Sequence, residues 1–337
     1  MQLFSNFAAQ NPYMTTIDAI QQTIAGPLQR LNDRIAGSLA SSNPLMAEII
    51  VNYLRTKGKQ IRPILVLLSA RFFGEINDDA ISAAAAIEML HNASLIHDDV
   101  VDEAKKRRDR PTINSVWDNH IAVLVGDYFV STALREGVAT RDMRVIRCLS
   151  ELGRELSIGE VDQICNARTH TLDEQAYFSM IERKTASLFM SCVRMGGYAV
   201  NASDADLDVM VEFARLLGLC FQIRDDIFDY FEDGRVGKPT GNDLREGKIT
   251  LPLLYALKCD ELPEAAGMVE LSRHDDLTSG EISRLIDYAK RAGGIDYAET
   301  RMRDMRDEAI ALISCFPDSP ARRAFISLFD YIIARDH

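Results

Sequence analysis

Residues 81–102 read ISAAAAIEMLHNASLIHDDVVD, an apolar, helix-forming segment that ends with the acidic motif DDVVD. A second apolar segment closes on the same pattern, DDIFD at 225–229. On a helix, the first and last aspartates of each motif lie four residues apart and share one face. Like charges at that spacing repel, and burying them without compensation costs several kcal/mol. Stability alone gives no reason to place these carboxylates among leucine, isoleucine and phenylalanine.

A divalent metal ion would supply that reason. Carboxylate ligands without a cluster of histidine and cysteine favour magnesium, which also takes waters and the phosphate oxygens of a substrate. The two motifs therefore predict a magnesium site and a substrate with a diphosphate, and they should face each other across one cavity. For either motif alone, a solvated acidic face at a helix end is an open alternative. The repetition beside apolar runs favours the metal site.

Apolar residues recur at three- and four-residue spacing through the rest of the chain, and no stretch alternates as a strand does. The pattern predicts an all-α protein that forms a single domain over residues 1–337. Helices are expected at 15–40, 44–56, 59–73, 77–104, 112–138, 140–166, 173–200, 203–230, 244–259, 278–292 and, with a break, 295–335. One polar, glycine-rich connection, 232–248, predicts a functional loop.

The composition is that of an ordinary globular protein, with 47% hydrophobic and 26% charged residues. Acidic residues outnumber basic ones 50 to 38, and the net charge of -12 disfavours nucleic acid and anionic lipid as partners. The six cysteines form no Cys-x-x-Cys pair or zinc-like cluster, so reduced thiols are expected. No basic start leads into an apolar run, and no stretch reaches the ~18 apolar residues of a transmembrane segment, so a cytoplasmic protein is expected.

Basic residues gather near the first acidic motif. Arginine and lysine bind phosphate oxygens through charge-assisted hydrogen bonds, so this cluster predicts a second anion site. Its members are Lys59, Arg62, His91, Lys105, Lys106, Arg107, Arg108 and Arg110. A solvated helix end is the alternative for the run at 105–110, and a core histidine is the alternative for His91. The nearness of DDVVD favours the functional interpretation.

Taken together, these motifs resemble those of the trans-isoprenyl diphosphate synthases, the polyprenyl synthetase family. The resemblance extends from about Lys57 to Pro252, and outside it only the helical pattern matches. It is carried by GKQIRP at 58–63, EMLHNASLIHDDVVDEAKKRRDRPT at 88–112, GDYFVSTA at 126–133, KTA at 184–186, FQIRDDIFD at 221–229 and GKPTGNDLREGKITLP at 237–252. The resemblance implies an all-α bundle of roughly ten to thirteen helices around a deep central cavity.

The resemblance also implies a role for each matched residue. The direct magnesium ligands would be Asp98, Asp102 and Asp225, with Asp99, Asp226 and Asp229 supporting them or binding through water. About two or three ions are expected. The allylic diphosphate would be held by Arg107, Lys184, Lys238 and Lys248, and isopentenyl diphosphate by Lys59, Arg62, His91 and Arg108. Polar groups such as Thr185 and Gln222 would stabilise an allylic cation.

The implied reaction lengthens an allylic diphosphate. Magnesium would neutralise the charge on the departing diphosphate as its carbon–oxygen bond breaks. The double bond of isopentenyl diphosphate would attack the resulting cation, and the departed diphosphate would accept the proton that is lost. Holding the two reactants together contributes ~7 to 11 kcal/mol. Apolar walls and closure of the 232–248 loop would exclude water.

Three positions depart from the family pattern. Gln60 stands where many members have arginine, Asp109 replaces a common glycine, and Arg224 occupies an often apolar place. None of the three removes a named ligand. The negative charge of Asp109 is expected to weaken anion binding by Arg107 and Arg108.

Ala93 and Ser94 bear on product length. Ser94 lies four residues before Asp98, hence one turn or ~6 Å deeper on the same helix face. In the family, bulky aromatic residues here stop the product at farnesyl or geranylgeranyl length. Two small residues therefore predict a product of hexaprenyl to decaprenyl class, with octaprenyl as the single choice and Phe129 as the candidate tunnel floor. Close helix packing is the alternative reason for two small residues.

Other functions fit the pattern less well. A terpene cyclase or squalene-synthase-like enzyme would need no isopentenyl site, and a metal-dependent HD phosphohydrolase, suggested by His97 and Asp98, would leave DDIFD unexplained. A regulatory subunit of a heteromeric synthase would keep the fold and lose catalysis. A short-chain farnesyl or geranylgeranyl diphosphate synthase is the alternative within the family. By analogy with the family, we expect a homodimer, a farnesyl or geranylgeranyl primer, and a quinone side chain as the use of the product.

Overall fold

The computed structural model describes residues 16–55, 58–107, 110–231, 240–259 and 262–335. These residues are mostly helical with almost no strand, so the all-α prediction is confirmed. The earlier helices are α1 (Thr16–Thr23), α2 (Ala25–Ser38), α3 (Pro44–Leu54), α4 (Ile61–Phe73), α5 (Asp78–Val101), α6 (Ile113–Val116), α7 (Asn119–Ala139) and α8 (Met143–Arg168). The later helices are α9 (Glu174–Ile181), α10 (Ser187–Ala199), α11 (Asp204–Phe228), α12 (Asn242–Arg245), α13 (Leu251–Ala256), α14 (Ala265–Leu271), α15 (Ser279–Arg291), α16 (Gly294–Leu312) and α17 (Pro320–Ala334).

Short elements of other kinds interrupt the helices. The strands β1 (Lys106–Arg107) and β2 (Arg110–Pro111) pair antiparallel just after the first acidic motif. A π-helical turn, Glu182–Ala186, joins α9 to α10, and a 3-10 turn, Ile313–Cys315, follows α16. Within the described ranges, every helix is too short or too polar to cross a bilayer.

Two compact units, interleaved in sequence, make up the described residues. The first contains the residues up to Gly153, together with 191–211 and 318–325. The second contains 154–190, 212–317 and the residues from 326 onward. The single domain expected over the whole chain stays a prediction.

Helix α5 is the centre of the first unit, where it packs against α7, α4 and α2. The helix begins after Asn77, whose side-chain oxygen accepts the backbone N–H of Ala80 at 2.8 Å. Residues 80–87 are all buried, and the alanines among them allow neighbouring helices to approach closely. Because α5 ends at Val101, the first acidic motif lies at its C-terminal end.

The core of the second unit is built around α13, which packs against α15 and α16. Leu253, Leu285 and Tyr288 are fully buried in this cluster. The Tyr288 hydroxyl donates to the carbonyls of Ala256 and Cys259 at 3.1 and 3.0 Å. These contacts fix the chain that follows the second acidic motif.

Several predictions about helix boundaries are wrong, and the simplest case is 112–138, which divides into α6 and α7. The segment 244–259 is not one helix, because α12 ends early, Gly247 adopts a left-handed φ of 73°, and α13 begins only at Leu251. Helix α11 ends at Phe228, so Asp229 lies in a turn beyond it. Helix α14 was not predicted at all.

Gly159 allows α8 to approach the π-helical turn. A Cβ atom at this position would lie 2.6 Å from the backbone nitrogen of Lys184 and 2.8 Å from its Cα. The placement of Lys184 therefore depends on the absence of a side chain at residue 159. On the same helix, the Cβ position of Gly153 has no neighbour within 4 Å.

We expect Gly159→Ala to lower the free energy of unfolding by about 1–3 kcal/mol, because the added methyl group overpacks the contact with Lys184. Gly153→Ala is the matched control. It should raise that free energy by up to about 1 kcal/mol, because alanine is the better helix former and has open space there. Urea unfolding followed by circular dichroism measures both, and equal changes in the two variants would contradict the close approach.

Candidate active site

The first acidic motif lies at the end of α5. Asp98 and Asp99 are in the last turn, and the backbone N–H of Asp102 donates to the carbonyl of Asp98 at 2.8 Å. Asp99 is 7% exposed, and its carboxylate accepts a hydrogen bond from Arg107 Nε at 2.9 Å. Burial raises the pKa of Asp99, and the Arg107 guanidinium opposes that rise. Asp99 is therefore turned inward, whereas Asp98 is half-buried and Asp102 is exposed.

Hydrogen bonds fix the chain that follows this motif. Asn114 Nδ2 donates to the carbonyls of Asp99 and Ala104 at 3.1 and 3.2 Å. Thr112 Oγ1 donates to the same Ala104 carbonyl at 2.7 Å. These contacts hold the β1–β2 pair beside the end of α5 and keep Arg107 within reach of Asp99.

The predicted ligands of isopentenyl diphosphate fall at several places in the first unit. Lys59 is exposed before α4, Arg62 is half-buried in the first turn of α4, and His91 is buried in α5. Arg108, also predicted for this site, lies outside the described residues, as does the allylic ligand Lys238. Their substrate-binding roles stay predictions.

Gln60, one of the departures from the family pattern, has a structural role. Its backbone adopts a left-handed φ of 52° just before α4. Its side-chain amide donates to Asn32 Oδ1 at 3.1 Å, which ties this turn to α2. Asp109, a second departure, lies outside the described residues.

Helices α5 and α7 carry the predicted chain-length residues. Ala93 is fully buried, and Ser94 is half-buried, with its hydroxyl donating to the carbonyl of His91 at 2.9 Å. Phe129 is fully buried on α7, and its ring centroid lies 5.4 Å from that of Tyr53 in an edge-to-face pair. Their effect on product length stays a prediction.

A cavity in the second unit gathers several of the predicted site residues. Lys184 and Thr185 reach it from the π-helical turn, and Gln222 and Asp226 reach it from α11. Lys248 lines it from the segment before α13. The same cavity is also lined by Gln163, Tyr177 and Asp243. The structure thus brings together residues that are separated by more than sixty positions in the sequence.

A chain of hydrogen bonds crosses this cavity. Thr185 Oγ1 donates to Gln222 Oε1 at 2.6 Å, and Gln222 Nε2 donates to Asp226 Oδ1 at 2.8 Å. The Tyr177 hydroxyl donates to Asp226 Oδ2 at 2.5 Å. Both carboxylate oxygens of Asp226, which is only 5% exposed, therefore have protein donors.

The carboxylates around this cavity carry unfavourable charge. Burial raises the pKa of Asp226 to about 6, two hydrogen bonds oppose the rise, and the charges of Asp225 and Asp229 add to it. Burial, together with repulsion from Asp226 and Asp229, raises the pKa of Asp243 to about 8, against the attraction of Lys248. A cation beside these groups would favour their ionised forms.

Asp229 lies in the turn directly after α11, so its sharing of a face with Asp225 stays a prediction. Asp229 Oδ1 accepts the backbone N–H of Asn242 at 2.9 Å, and its Oδ2 accepts that of Asp243 at 3.0 Å. The carboxylate thereby satisfies N–H groups at the start of α12 that have no partner within the helix. The chain leaves α11 to make this contact, which also positions Asp243.

Each lysine of the cavity has an acidic neighbour. Lys184 Nζ lies 2.5 Å from Glu160 Oε2 and donates to Gln163 Oε1 at 3.0 Å. Lys248 forms an ion pair with Glu246. A diphosphate that binds these lysines would therefore compete with carboxylates for them.

The donor chemistry of the two motifs fits a divalent ion, because the groups are oxygen ligands and several carry unrelieved negative charge. In the part of the chain that the structure describes, no three acidic, histidine or cysteine side chains converge as a preformed metal site. Asp225 is accessible, with a side chain that is 41% exposed. The direct ligation by Asp98, Asp102 and Asp225, and the sharing of ions between the motifs, stay predictions.

An all-α fold with two Asp-Asp-x-x-Asp motifs, one of them lining a cavity with lysine, threonine and glutamine, defines an isoprenoid synthase class of protein. The chain belongs to the polyprenyl synthetase family, whose sequence profile matches residues 43–289. The family resemblance predicted from the motifs is thus confirmed.

Individual relatives match the chain over nearly its whole length. The octaprenyl diphosphate synthase of Escherichia coli is 32% identical over 321 residues, which cover 95% of this chain and 99% of that one. A polyprenyl synthase from Caulobacter crescentus, solved in complex with calcium and isoprenyl diphosphate, is 30% identical with a TM-score of 0.87, over 95% of this chain and 98% of that one. A geranylgeranyl pyrophosphate synthase from Bacteroides thetaiotaomicron is 34% identical with a TM-score of 0.82, over 96% of this chain and 100% of that one.

Two cavity residues that act directly on Asp226, Tyr177 and Asp243, were not predicted from the sequence. Asp243 had a visible signal, since it is a carboxylate five residues before Lys248 in a glycine-rich stretch. Tyr177 had none, because its spacing fits an apolar helix face and its partner Asp226 is distant in sequence. Only the fold reveals that its hydroxyl binds the acidic motif.

Asp243→Asn should change how stability depends on pH. In the metal-free protein, the raised carboxyl pKa values make the folded state bind more protons than the unfolded state between about pH 4 and about pH 8, so stability falls as pH rises through that window. Removing the charge at residue 243 should flatten this fall and raise the melting temperature at pH 8 relative to wild type.

Thermal unfolding in EDTA at pH 5 and pH 8 measures the effect. Asp287→Asn, at an exposed position on α15, is the control and should keep the wild-type dependence. If Asp243→Asn shows the same pH dependence as the control, the burial of charge at residue 243 is not what lowers stability.

Proposed function

We propose that this chain is a long-chain trans-polyprenyl diphosphate synthase, which condenses isopentenyl diphosphate repeatedly with an allylic diphosphate. The observation that carries the proposal is the cavity that brings Lys184, Thr185, Gln222 and Lys248 to Asp226 in a member of the polyprenyl synthetase family. Farnesyl or geranylgeranyl diphosphate is the proposed primer, and a hexaprenyl to decaprenyl chain is the proposed product. The full-length similarity to an octaprenyl diphosphate synthase supports the longer product.

Magnesium is the proposed cofactor, and when bound it would offset the negative charge on the departing diphosphate. The proposed direct ligands are Asp98, Asp102 and Asp225. Asp226 is better suited to support than to direct ligation, because both its oxygens accept hydrogen bonds from the protein. The same holds for Asp229, whose oxygens cap α12. The calcium and isoprenyl diphosphate of the Caulobacter crescentus relative support a divalent ion beside a diphosphate.

Lys184 and Lys248 are proposed to bind the allylic diphosphate. The family resemblance assigns the same role to Arg107 and Lys238. Both lysines line the cavity, where their ammonium groups could exchange a carboxylate partner for a phosphate oxygen. The hydrogen bond from Thr185 fixes the amide of Gln222. Its carbonyl dipole could then stabilise the allylic cation after the diphosphate leaves.

The second substrate, isopentenyl diphosphate, is assigned to Lys59, Arg62, His91 and Arg108. A positively charged group of this kind is what an anionic substrate requires in a chain whose net charge is -12. The condensation ends with loss of a proton. The departed diphosphate is the proposed acceptor of this proton, because the mechanism expected for the family does not require a side chain as the base.

A short-chain synthase is the second candidate function, favoured by the 34% identity with a geranylgeranyl pyrophosphate synthase. The small side chains of Ala93 and Ser94, one turn before Asp98, support the long-chain proposal instead. Phe129 is the proposed floor of the tunnel. The length of the product decides between the two candidates.

A homodimer, a cytoplasmic location and a role in making quinone side chains complete the proposal. Helix α7 exposes an apolar set that supports self-association: Val123, Leu124, Leu134 and Val138. The downstream use follows from analogy with the family alone.

Wild-type protein supplied with farnesyl diphosphate, isopentenyl diphosphate and magnesium should form prenyl diphosphates, and Asp98→Ala should reduce turnover at least 100-fold, because a direct metal ligand is lost. Radiolabelled isopentenyl diphosphate and chromatography of the extracted lipids measure both. Asp287→Asn is the control and should retain wild-type turnover. Recovery of unreacted substrates alone from the wild type would favour a regulatory subunit.

Ser94→Phe should shorten the product towards farnesyl or geranylgeranyl length, because an aromatic ring one turn before Asp98 would block the growing chain. Ser94→Ala is the control and should keep the wild-type length, because it adds no volume. Mass spectrometry of the dephosphorylated products measures the distribution. An unchanged long product in Ser94→Phe would place the tunnel elsewhere.

A further inference from the structure

The C-terminal end of the described chain binds the second acidic motif. Arg335 directly follows α17, and its side chain is only 9% exposed. Its Nη2 donates to the Asp225 carboxylate and, at 3.1 Å, to the carbonyl of Phe221. Its guanidinium carbon lies 4.1 Å from the ring centroid of Phe221 and 5.5 Å from that of Phe228. One arginine thus contacts the first carboxylate of the motif, the backbone of α11 and two aromatic rings.

A second arginine holds this one in place. Arg224 Nε and Nη2 donate to the backbone carbonyl of Arg335 at 2.9 and 2.7 Å. The Arg224 guanidinium carbon lies 5.1 Å from the Phe228 ring centroid, and its side chain is 14% exposed. Arg224 is the residue that departs from the family pattern at an often apolar position. The structure explains why arginine stands at this position, because the Arg224 side chain holds the backbone of Arg335.

These contacts differ from an ordinary surface ion pair. Exposed ion pairs contribute little to stability. Here both guanidinium groups are largely buried, which has a desolvation cost that the hydrogen bonds and ring contacts offset in part, since Arg335 Nε is buried without a hydrogen-bond partner among the described residues. A built arrangement of this kind restricts Asp225, although the side chain of Asp225 remains 41% exposed.

We propose that Arg335, held by Arg224, is a positioning residue of the divalent-ion site. It fixes the Asp225 carboxylate in the orientation that ligates the ion, so the C-terminal segment is required for metal binding. The inference rests on the proposed function, in which Asp225 is a metal ligand. Hydrogen bonds to ligating carboxylates orient them, and their loss typically lowers metal affinity about 10–100-fold.

The opposite role for Arg335 would be a stand-in cation that the metal ion displaces. Displacement would have to break the contacts with Phe221, Phe228 and Arg224 as well as the ion pair with Asp225. The two roles predict opposite changes when the charge is removed. A positioning residue gives weaker metal binding, whereas a stand-in cation gives tighter binding.

Manganese binding, followed by the electron paramagnetic resonance signal of the free ion in the presence of inorganic pyrophosphate, tests the proposal. Arg335→Gln should weaken binding about 10-fold or more. Arg335→Lys should recover part of the loss, because it restores the charge without the planar fork. The magnesium concentration that gives half-maximal turnover should rise by a similar factor.

Arg323→Gln is the matched control, because Arg323 lies on the same helix and pairs with Asp318 rather than with the acidic motif. It should bind manganese as the wild type does. Unchanged or tighter binding by folded Arg335→Gln would overturn the proposal. Should that variant fail to fold, Arg224→Gln decides instead: it should weaken binding, and wild-type affinity would overturn the proposal.

The wild type separates this inference from the proposed function. If it binds no manganese and forms no prenyl product, the proposed function fails. If the wild type is active and binds manganese, while Arg335→Gln matches it in both measurements, only the role of Arg335 fails.

Discussion

The structure around both acidic motifs is constrained by the cost of burying negatively charged carboxylates among helices. At the first motif, the buried Asp99 is paired with a guanidinium, so part of the charge is neutralised. At the second, the buried Asp226 is bound by a tyrosine hydroxyl and a glutamine amide, both neutral. Neutral donors stabilise a carboxylate without removing its charge, so Asp226 keeps an excess of negative charge, whereas Asp225 in the same motif is paired with the Arg335 guanidinium.

The fold adds to that excess rather than relieving it. Asp229 leaves α11 to cap α12, and that cap positions Asp243 beside Asp226, where both carboxyl pKa values are raised. A protein selected for stability alone would gain by replacing Asp243 with a neutral residue. The contact is understandable if the carboxylates serve a ligand, because a divalent ion would turn their mutual repulsion into shared attraction.

Local features of this structure could be predicted from the sequence, and long-range ones could not. The body of α5 was predictable because its apolar run and the cap at Asn77 are encoded within a few residues. The end of α11 before Asp229 was not, because it depends on N–H groups that lie thirteen and fourteen residues later. The break after α12 depends on the left-handed φ of Gly247, which the spacing of apolar residues does not reveal. Similarly, Arg335 reaches Asp225 from the far end of the chain, and no spacing pattern links them.

Charge pairing also bears on the order in which ligands enter the proposed site. Lys184 and Lys248 already have the carboxylates of Glu160 and Glu246, and the whole chain carries a net charge of -12. A free diphosphate would meet lysines that are already neutralised and aspartates that repel it. A free divalent ion would be attracted by the aspartates, but few of their carboxylates lie close enough together to bind one ion. Entry of a divalent ion together with the diphosphate would satisfy both sets of groups, because the ion would offset the charge of the aspartates and the diphosphate would supply further oxygen ligands.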